Sequence, residues 1–224
     1  MSLDPSVKSR LTEHSLPHFT GDTFFDHLAR AVCTAGVLPR KELYESWEVA
    51  RRARRRFRGG RIVDLAAGHG LVAYTLLLLD DTSPGAVCVD PRRPQNAPRL
   101  WAALEARWPR LAGRVTYEER PLDAVPLGPT DLVVSAHACG RLTDQVLARA
   151  ADAGARVVVL PCCHDLDRSD RGGVEGWLDG PLAIDVTRAA FLRSRGYEVH
   201  TQLIPEAITP KNRLLLGAPA RLAS

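Results

Sequence analysis

The sequence of 224 residues lacks a long hydrophobic run. Its most apolar stretch, "LVAYTLLLL", is far shorter than the roughly 18 residues that a membrane-spanning helix requires, so we expect no membrane segment. The opening "MSLDPSVKSR" contains no apolar core, and we therefore expect no signal peptide. The five cysteines are an odd number without the spacing of a disulfide framework, which favours a reducing, cytoplasmic environment.

Lysine and aromatic residues are also scarce. Only three of the 30 basic residues are lysine, and the 6% aromatic content leaves few side chains on which nucleic-acid bases can stack. The arginines cluster in "ARRARRRFRGGR", which contains Arg51, Arg52, Arg54, Arg55, Arg56, Arg58 and Arg61. Such a density suits contacts to RNA phosphates. The alternative is a solvated helix end whose cations pair with Glu42, Glu45 and Glu48 about one helical turn away.

The order of predicted elements indicates an α/β fold. Residues 1 to about 20 resemble a loose arm, and residues 22–57 have the periodicity of two helices, with Asp22 or Thr23 as a cap and Gly36 as a stop. From residue 61 onward, Val-rich strands alternate with helices, which indicates a parallel sheet covered on both faces. The last two strands are too close in sequence for an intervening helix, so they predict an antiparallel edge hairpin. We predict a Rossmann-like, seven-stranded, mostly parallel domain over residues 59–224, preceded by an arm and helical extension over residues 1–58.

A glycine-containing turn, "VDLAAGHG", closes the first predicted strand and opens a helix. Its small residues, Ala66, Gly68 and Gly70, allow the backbone to approach a ligand closely. Asp64 ends the first strand, and Asp90 ends the next one, where a carboxylate can accept both hydroxyls of a ribose. A tight turn without a ligand is the alternative, and an NAD site would carry a different glycine spacing.

This pattern, together with the seven-strand layout, resembles the class I S-adenosylmethionine-dependent methyltransferases. The resemblance implies S-adenosylmethionine as the cofactor, with Asp64 at its methionine end. Ala66 stands where glycine is commonest in that family, and we expect it to keep a negative φ. Leu122 and Asp123, in a loop after the third strand, occupy the position that contacts adenine, although Asp123 is equally suited to cap a helix.

The fourth and fifth strands end in unusual polar segments, "AHACGRLTD" and "PCCHD". Because ligands bind beyond the carboxyl ends of the strands in an open α/β sheet, we expect the two segments to be neighbours on one rim. The pair resembles the motifs of the tRNA acceptor-stem 2′-O-methyltransferases and related methyltransferase-like domains, which carry His-x-Cys-Gly-x-x-Thr-Asp and then Cys-Cys-His. That resemblance implies that the rim borders the methyl-donor pocket, with Ala136, His137, Cys139, Gly140, Thr143 and Asp144 on one side and Cys162, Cys163 and His164 on the other.

The chemistry of this rim has several interpretations. His137 or His164 is suited to act as a general base because imidazole titrates near neutral pH, with Asp144 or Asp165 orienting it. Zinc binding by the two histidines and three cysteines is an alternative. We assign no metal ligands, since the spacing is not that of a Cys-x-x-Cys motif and adjacent Cys162 and Cys163 are expected to point to opposite sides of a strand-like segment. Covalent catalysis by a thiolate and simple packing of the cysteines also stay open.

The acceptor is the least determined part of the function. RNA is favoured by the resemblance and by the arginine cluster between Arg51 and Arg61. A methyltransferase acting on a small molecule is the alternative, as is a non-catalytic nucleotide-binding module. The helical extension is expected to pack beside the rim and contribute to acceptor recognition, and the oligomeric state is left open.

Overall fold

The computed structural model describes residues 4–220, so the first three residues of the predicted arm and the last four of the predicted domain lie outside it. The helices are α1 Phe24–Ala35, α2 Arg40–Arg56, α3 Leu71–Leu79, α4 Ala97–Arg107, α5 Arg141–Asp152 and α6 Gly180–Ser194. The strands are β1 Ile62–Leu65, β2 Ala86–Asp90, β3 Val115–Glu119, β4 Leu132–Ser135, β5 Arg156–Val159, β6 Tyr197–Leu203 and β7 Arg213–Pro219. None of the helices in this part of the chain combines the length and apolarity needed to cross a bilayer.

The seven strands form one sheet in the order β3-β2-β1-β4-β5-β7-β6. Strands β1 to β5 are parallel, whereas β7 runs antiparallel to both β5 and β6. The predicted Rossmann-like fold with an antiparallel edge hairpin is therefore confirmed. From β1 the chain builds the sheet first towards β2 and β3 and then, on the other side, towards β4 and β5. The loops after β1 and β4 therefore lead in opposite directions, and ligands bind at such a crevice in open α/β sheets.

The segment before α1 is packed, which corrects the expectation of a loose arm. Leu11 is fully buried and Phe19 nearly so, and a 3-10 helix, Glu13–His18, lies between them. The amide of Leu11 donates to the carbonyl of Leu38 at 2.9 Å, which ties the arm to the start of α2. Two isolated apolar side chains thus anchor a mostly polar segment that lacks the hydrophobic periodicity of a helix or a strand.

The helical extension completes the core of the sheet domain. Helix α3 carries apolar residues on nearly every side, and eight of its nine residues are buried. A helix of this kind must be covered on its outer side as well as by the sheet. Helix α2 packs against α3, and α1 packs against α4, so residues of the extension and of the sheet share one hydrophobic core.

Candidate functional site

The turn after β1 has a backbone conformation that favours glycine. Gly70 has a φ of 80°, and a Cβ there would lie 2.8 Å from the Sγ of Cys88, so no larger residue fits without a shift. Gly68 has a φ of 53°, and a Cβ there would meet nothing within 4 Å. The turn therefore packs tightly below Gly70 and leaves space beside Gly68 for an approaching ligand.

Ala66 departs from its predicted conformation. Its φ is +57°, and it is the one non-glycine residue with a positive φ among residues 4–220. The expectation of a negative φ is wrong, because the chain must reverse immediately after β1 to reach α3. An L-residue in the left-handed region carries a cost of about 1–2 kcal/mol.

Side chains from neighbouring elements hold this turn in place. Tyr117 donates its hydroxyl to the carbonyl of Gly68 at 2.9 Å, and the Trp101 indole donates to the carbonyl of His69 at 2.9 Å. The imidazole of His69 lies 3.0 Å from Oδ1 of Asn96 and 3.8 Å from a carboxylate oxygen of Glu42. Sequence patterns gave no sign of these contacts, since they join four separate segments. The result is a turn that is fixed before any ligand arrives.

His69 has a raised pKa as a result of these contacts. Burial alone lowers the pKa of its imidazole, but hydrogen bonding to Glu42 and Asn96 and the negative charge of Glu42 outweigh that effect. Glu42 lies in the first turn of α2, so the helical extension acts directly on the turn that follows β1.

Asp64 is an unusual buried carboxylate. It is 1% exposed, and its Oδ2 atom has no hydrogen-bond partner among the described residues. Burial raises the pKa of Asp64 to about 8; the negative charges of Asp90 and Glu42 act in the same direction, and the Ala73 amide partly opposes them. A buried acceptor without a partner is destabilising unless a ligand or water satisfies it.

Asp90 ends β2 opposite the turn. Its Oδ2 accepts from the Gly68 amide at 3.3 Å and its Oδ1 from the Arg92 amide at 3.2 Å, which orients both oxygens at the rim. Beyond the next strand, Leu122 and Asp123 form a short 3-10 helix in which Leu122 is buried and Asp123 is exposed. The ends of β2 and β3 are thus followed by an oriented carboxylate and a short 3-10 helix, respectively.

The segments after β4 and β5 meet as predicted. Strand pairing brings Ser135 beside Val159, and beyond the strands the Gly140 amide donates to the Cys163 carbonyl at 3.2 Å. Ala136, the first residue after β4, is buried, and His137 next to it is half-buried. The two segments therefore form a single rim at the carboxyl edge of the sheet.

Three thiols converge on this rim. The Sγ atoms of Cys139 and Cys162 are 3.1 Å apart, and those of Cys139, Cys162 and Cys163 all lie within 4.8 Å of one another. The expectation that Cys162 and Cys163 point to opposite sides is wrong, because β5 ends at Val159 and strand alternation no longer applies beyond it.

The thiols differ in acidity. Burial and hydrogen bonding raise the pKa of Cys162, and burial likewise raises that of Cys139. Burial also acts to raise the pKa of Cys163, but hydrogen bonds from Cys139 and Cys162 and the charges of Lys211 and Lys41 bring it below the ordinary value.

His164 is paired with a carboxylate that the sequence prediction missed. Its Nε2 atom lies 2.9 Å from Oδ1 of Asp185 on α6, and its side chain is 5% exposed. Asp185 also accepts from Arg213 at 2.6 Å, and these partners lower its pKa against the opposing effect of burial. The pairing replaces the predicted orientation of His164 by Asp144 or Asp165.

Asp144 and Gly140 are held by a second buried charge. Arg188 on α6 donates from Nε to Asp144 at 2.6 Å and from Nη2 to the Gly140 carbonyl at 3.0 Å. Thr143 donates its hydroxyl to the Ala138 carbonyl at 2.6 Å. Helix α6 therefore contacts the segments after both β4 and β5 through charged side chains.

The arginine cluster is largely occupied by internal contacts. Arg54 is buried and pairs with Asp80 at 3.0 Å, and Arg61 pairs with Asp131 at 2.7 Å. Arg51 and Arg52 both contact Glu48 within the same helix. These arginines stabilise the fold, so the cluster does not form one continuous basic surface. Arg55 and Arg56 are exposed at the end of α2.

Comparison with known families identifies the class of protein. A family model described as a methyltransferase domain matches residues 41–168, more than half of the chain, from α2 to the segment after β5. The chain belongs to this methyltransferase domain family. The chain therefore carries a methyltransferase domain, and the methyltransferases that it resembles use S-adenosylmethionine as their cofactor.

Solved structures share the fold at low sequence identity. An O-methyltransferase family protein from Burkholderia thailandensis is 19% identical to this chain and has a TM-score of 0.52. The alignment covers 94% of this chain and 63% of the Burkholderia protein. The tRNA methyltransferase TrmK from B. subtilis is 16% identical, has a TM-score of 0.52, and aligns over 77% of this chain and 65% of its own. The methyltransferase SibL is 18% identical, has a TM-score of 0.53, and aligns over 95% and 66% respectively. The chain thus spans slightly less than two thirds of these proteins, and no curated protein matches it.

The turn after β1 fits the implied cofactor. Asp64 has a buried oxygen with no partner within residues 4–220, which an ammonium group or a bridging water can satisfy. The space beside Gly68 admits a ligand, and Asp90 presents an oriented carboxylate at the adjacent strand end. The residues present therefore suit the amino and ribose groups of S-adenosylmethionine.

Proposed function

We propose that the protein transfers the methyl group of S-adenosylmethionine to a hydroxyl oxygen of RNA, in the manner of the tRNA 2′-O-methyltransferases. The observation that carries the proposal is the convergence of the two motifs after β4 and β5 on one rim. This rim adjoins the turn after β1, because β4 is the direct neighbour of β1. The five free cysteines are in keeping with a cytoplasmic enzyme in a reducing environment.

The residues of the turn hold and orient the donor in this proposal. Asp90 accepts the ribose hydroxyls, Asp64 accepts from the amino group directly or through water, and Leu122 and Asp123 bound the adenine. Ala66, Gly68 and Gly70 provide the close backbone approach, and Ala136 directly follows β4, the strand that pairs with β1. When bound, the donor supplies a methyl group on a positively charged sulfur. Methyl transfer is an in-line displacement, so fixed orientation contributes much of the rate.

The rim supplies the proton acceptor. His137 is half-buried at the end of β4, and we assign its imidazole to remove the proton of the acceptor hydroxyl. His164 is nearly buried with Nε2 on Asp185, so we assign it to hold the segment after β5. Asp144 has a matching role on the other segment through Arg188.

A small-molecule acceptor is the second candidate, and one observation favours it. The arginines from Arg51 to Arg61 that suggested phosphate contacts are mostly engaged by Glu48, Asp80 and Asp131. An RNA acceptor would then depend on other basic residues at the carboxyl edge of the sheet, such as exposed Arg92 and Arg141.

Transfer of a labelled methyl group distinguishes an RNA acceptor from a small-molecule acceptor. The protein is incubated with methyl-labelled S-adenosylmethionine and either total RNA or a nuclease-treated metabolite extract. We expect label in RNA, as 2′-O-methylated nucleosides after digestion, and a loss of at least a hundredfold for His137→Ala with donor affinity retained. Asp90→Ala is the matched donor-site variant and should abolish donor binding in calorimetry. Label in metabolites alone would replace RNA by a small molecule, and absence of donor binding by the wild type would contradict the whole proposal.

A further inference from the structure

The three thiols on the rim form a cluster that methyl transfer does not use. Cys139 is exposed, and Cys162 and Cys163 are half-buried. Cys33 and Cys88, the remaining cysteines, are buried in the core instead. All three rim sulfurs lie within 4.8 Å of one another, and each can provide one ligand atom. From this arrangement we propose that Cys139, Cys162 and Cys163 bind a zinc ion, with a fourth coordination position open to water.

The spacing of the sulfurs suits a metal ion. Tetrahedral zinc with sulfur ligands at about 2.3 Å requires neighbouring sulfurs about 3.8 Å apart. The sulfurs are already near this spacing, since one pair is 3.1 Å apart and the other pairs lie within 4.8 Å. Small side-chain rotations therefore complete the site, and the backbone does not have to move.

The backbone that carries the thiols is fixed by contacts independent of any metal. The Gly140 amide donates to the Cys163 carbonyl at 3.2 Å, and Arg188 holds the Gly140 carbonyl at 3.0 Å. His164, directly after Cys163, is held by Asp185 at 2.9 Å. Supporting contacts of this kind orient ligands and increase metal affinity. The two segments thus present their sulfurs from rigid supports.

Charge at the site favours the bound state. Three thiolates and a divalent ion carry a net charge of −1, and Lys211 lies 3.9 Å from the Sγ of Cys163. Lys211 precedes β7, whose antiparallel direction brings its start to this edge of the sheet. The lysine compensates the remaining negative charge. Soft sulfur ligands select zinc or copper(I) over magnesium and calcium.

The site has three protein ligands rather than four. His164 is the nearest residue in sequence that is able to supply a nitrogen, but its Nε2 is bound to Asp185. Since Cys139 is exposed, the fourth position faces solvent. Zinc sites with three protein ligands and an exchangeable water are the kind that can bind a further ligand.

The test uses tag-free protein purified under reducing conditions. The protein is dialysed with zinc, freed of excess ion, and its metal content is measured. We expect about one zinc per chain in the wild type and in Cys33→Ala, the matched control that removes a buried thiol. Cys139→Ser, Cys162→Ser and Cys163→Ser should each weaken zinc binding at least tenfold. Because Cys139 is exposed, its serine variant separates loss of a ligand from loss of folding.

A second measurement uses cobalt(II) as a spectroscopic substitute and alkylation as a footprint. Thiolate-to-cobalt charge-transfer absorption should appear in the wild type and weaken in the three variants, and zinc should protect Cys139, Cys162 and Cys163 from alkylation. Zinc content that is unchanged in all three variants would overturn the proposal. So would a reduced wild type that binds neither ion, including one that forms a Cys139–Cys162 disulfide when the reductant is removed. Neither readout depends on methyl transfer, so failure of one proposal leaves the other intact.

Discussion

Replacing Asp64 by asparagine should stabilise the ligand-free protein and weaken donor binding. Asp64 is buried with an unsatisfied oxygen, and its pKa is about 8 instead of 3.8. Because the folded-state pKa lies above the unfolded value, ionisation opposes folding. This destabilisation is absent below pH 4, grows as pH rises from about 4 to 8, and then levels off. At pH 7, about three units above the unfolded-state pKa of 3.8, this destabilisation has an upper limit of about 4 kcal/mol.

Thermal unfolding at several pH values measures this effect. Asp64→Asn should match the wild type near pH 4 and unfold at a higher temperature near pH 8, by about 5 °C or more at 2–4 °C per kcal/mol. Donor affinity should also fall at least tenfold. Wild-type Asp64 should release a proton when the donor binds near pH 7, which calorimetry in buffers of different ionisation enthalpy detects. Asp64→Asn should release no such proton. Asp90→Asn is the matched control: it should weaken binding but give a smaller pH-dependent gain, because the charge of Asp90 contributes only part of the raised Asp64 pKa. A melting temperature difference that is the same at pH 4 and pH 8 would refute the reasoning.

Two further predictions concern backbone strain and a buried ion pair. Ala66→Gly should raise the free energy of unfolding by about 0.5 kcal/mol, because the left-handed cost of about 1–2 kcal/mol exceeds the extra unfolded-state entropy of glycine; a lower melting temperature would contradict this. Asp80→Asn should cost about 3–5 kcal/mol by leaving the Arg54 guanidinium buried without its partner. Burial raises the pKa of Asp80, but hydrogen bonds and Arg54 lower it to about 2, so the pair stabilises fully above pH 4 and the effect is lost as pH falls through 2. As acid protonates Asp80, the difference between wild type and variant should shrink by about 2 kcal/mol, which is the value of the pKa shift from 3.8 to about 2, and a constant difference across that range would argue against the pair.

The sheet could be predicted from sequence because each strand is a short Val-rich run bounded by turn residues. Local signals at the helix ends were equally informative: Thr23 caps α1 through its hydroxyl, and Gly36 ends the helix with a φ of 66°. The arm could not be predicted, because Leu11 and Phe19 are single apolar residues in a polar stretch. Their burial depends on packing against α1 and α2, which carries no local pattern.

The candidate site divides in the same way. Asp64, Gly68, Gly70 and Asp90 follow from the strand-turn-helix pattern, since each stands at a strand end or in the turn. The partnership of His164 with Asp185 does not follow, because 21 residues separate them and the contact depends on how α6 lies across the sheet. The sequence prediction assigned no metal ligands among the three thiols for a related reason: it extended strand periodicity beyond Val159, where β5 ends.

Helix α3 makes the helical extension inseparable from the methyltransferase fold. Its outer surface is as apolar as its inner one, and α2 provides the cover. A chain shortened to begin at residue 59 would expose a leucine-rich surface of the kind that drives self-association. It would also lose Glu42, which reaches the turn after β1 from the first helical turn of α2. Sequence change in α2 is therefore constrained twice, by the core beneath the helix and by the turn after β1 beside it.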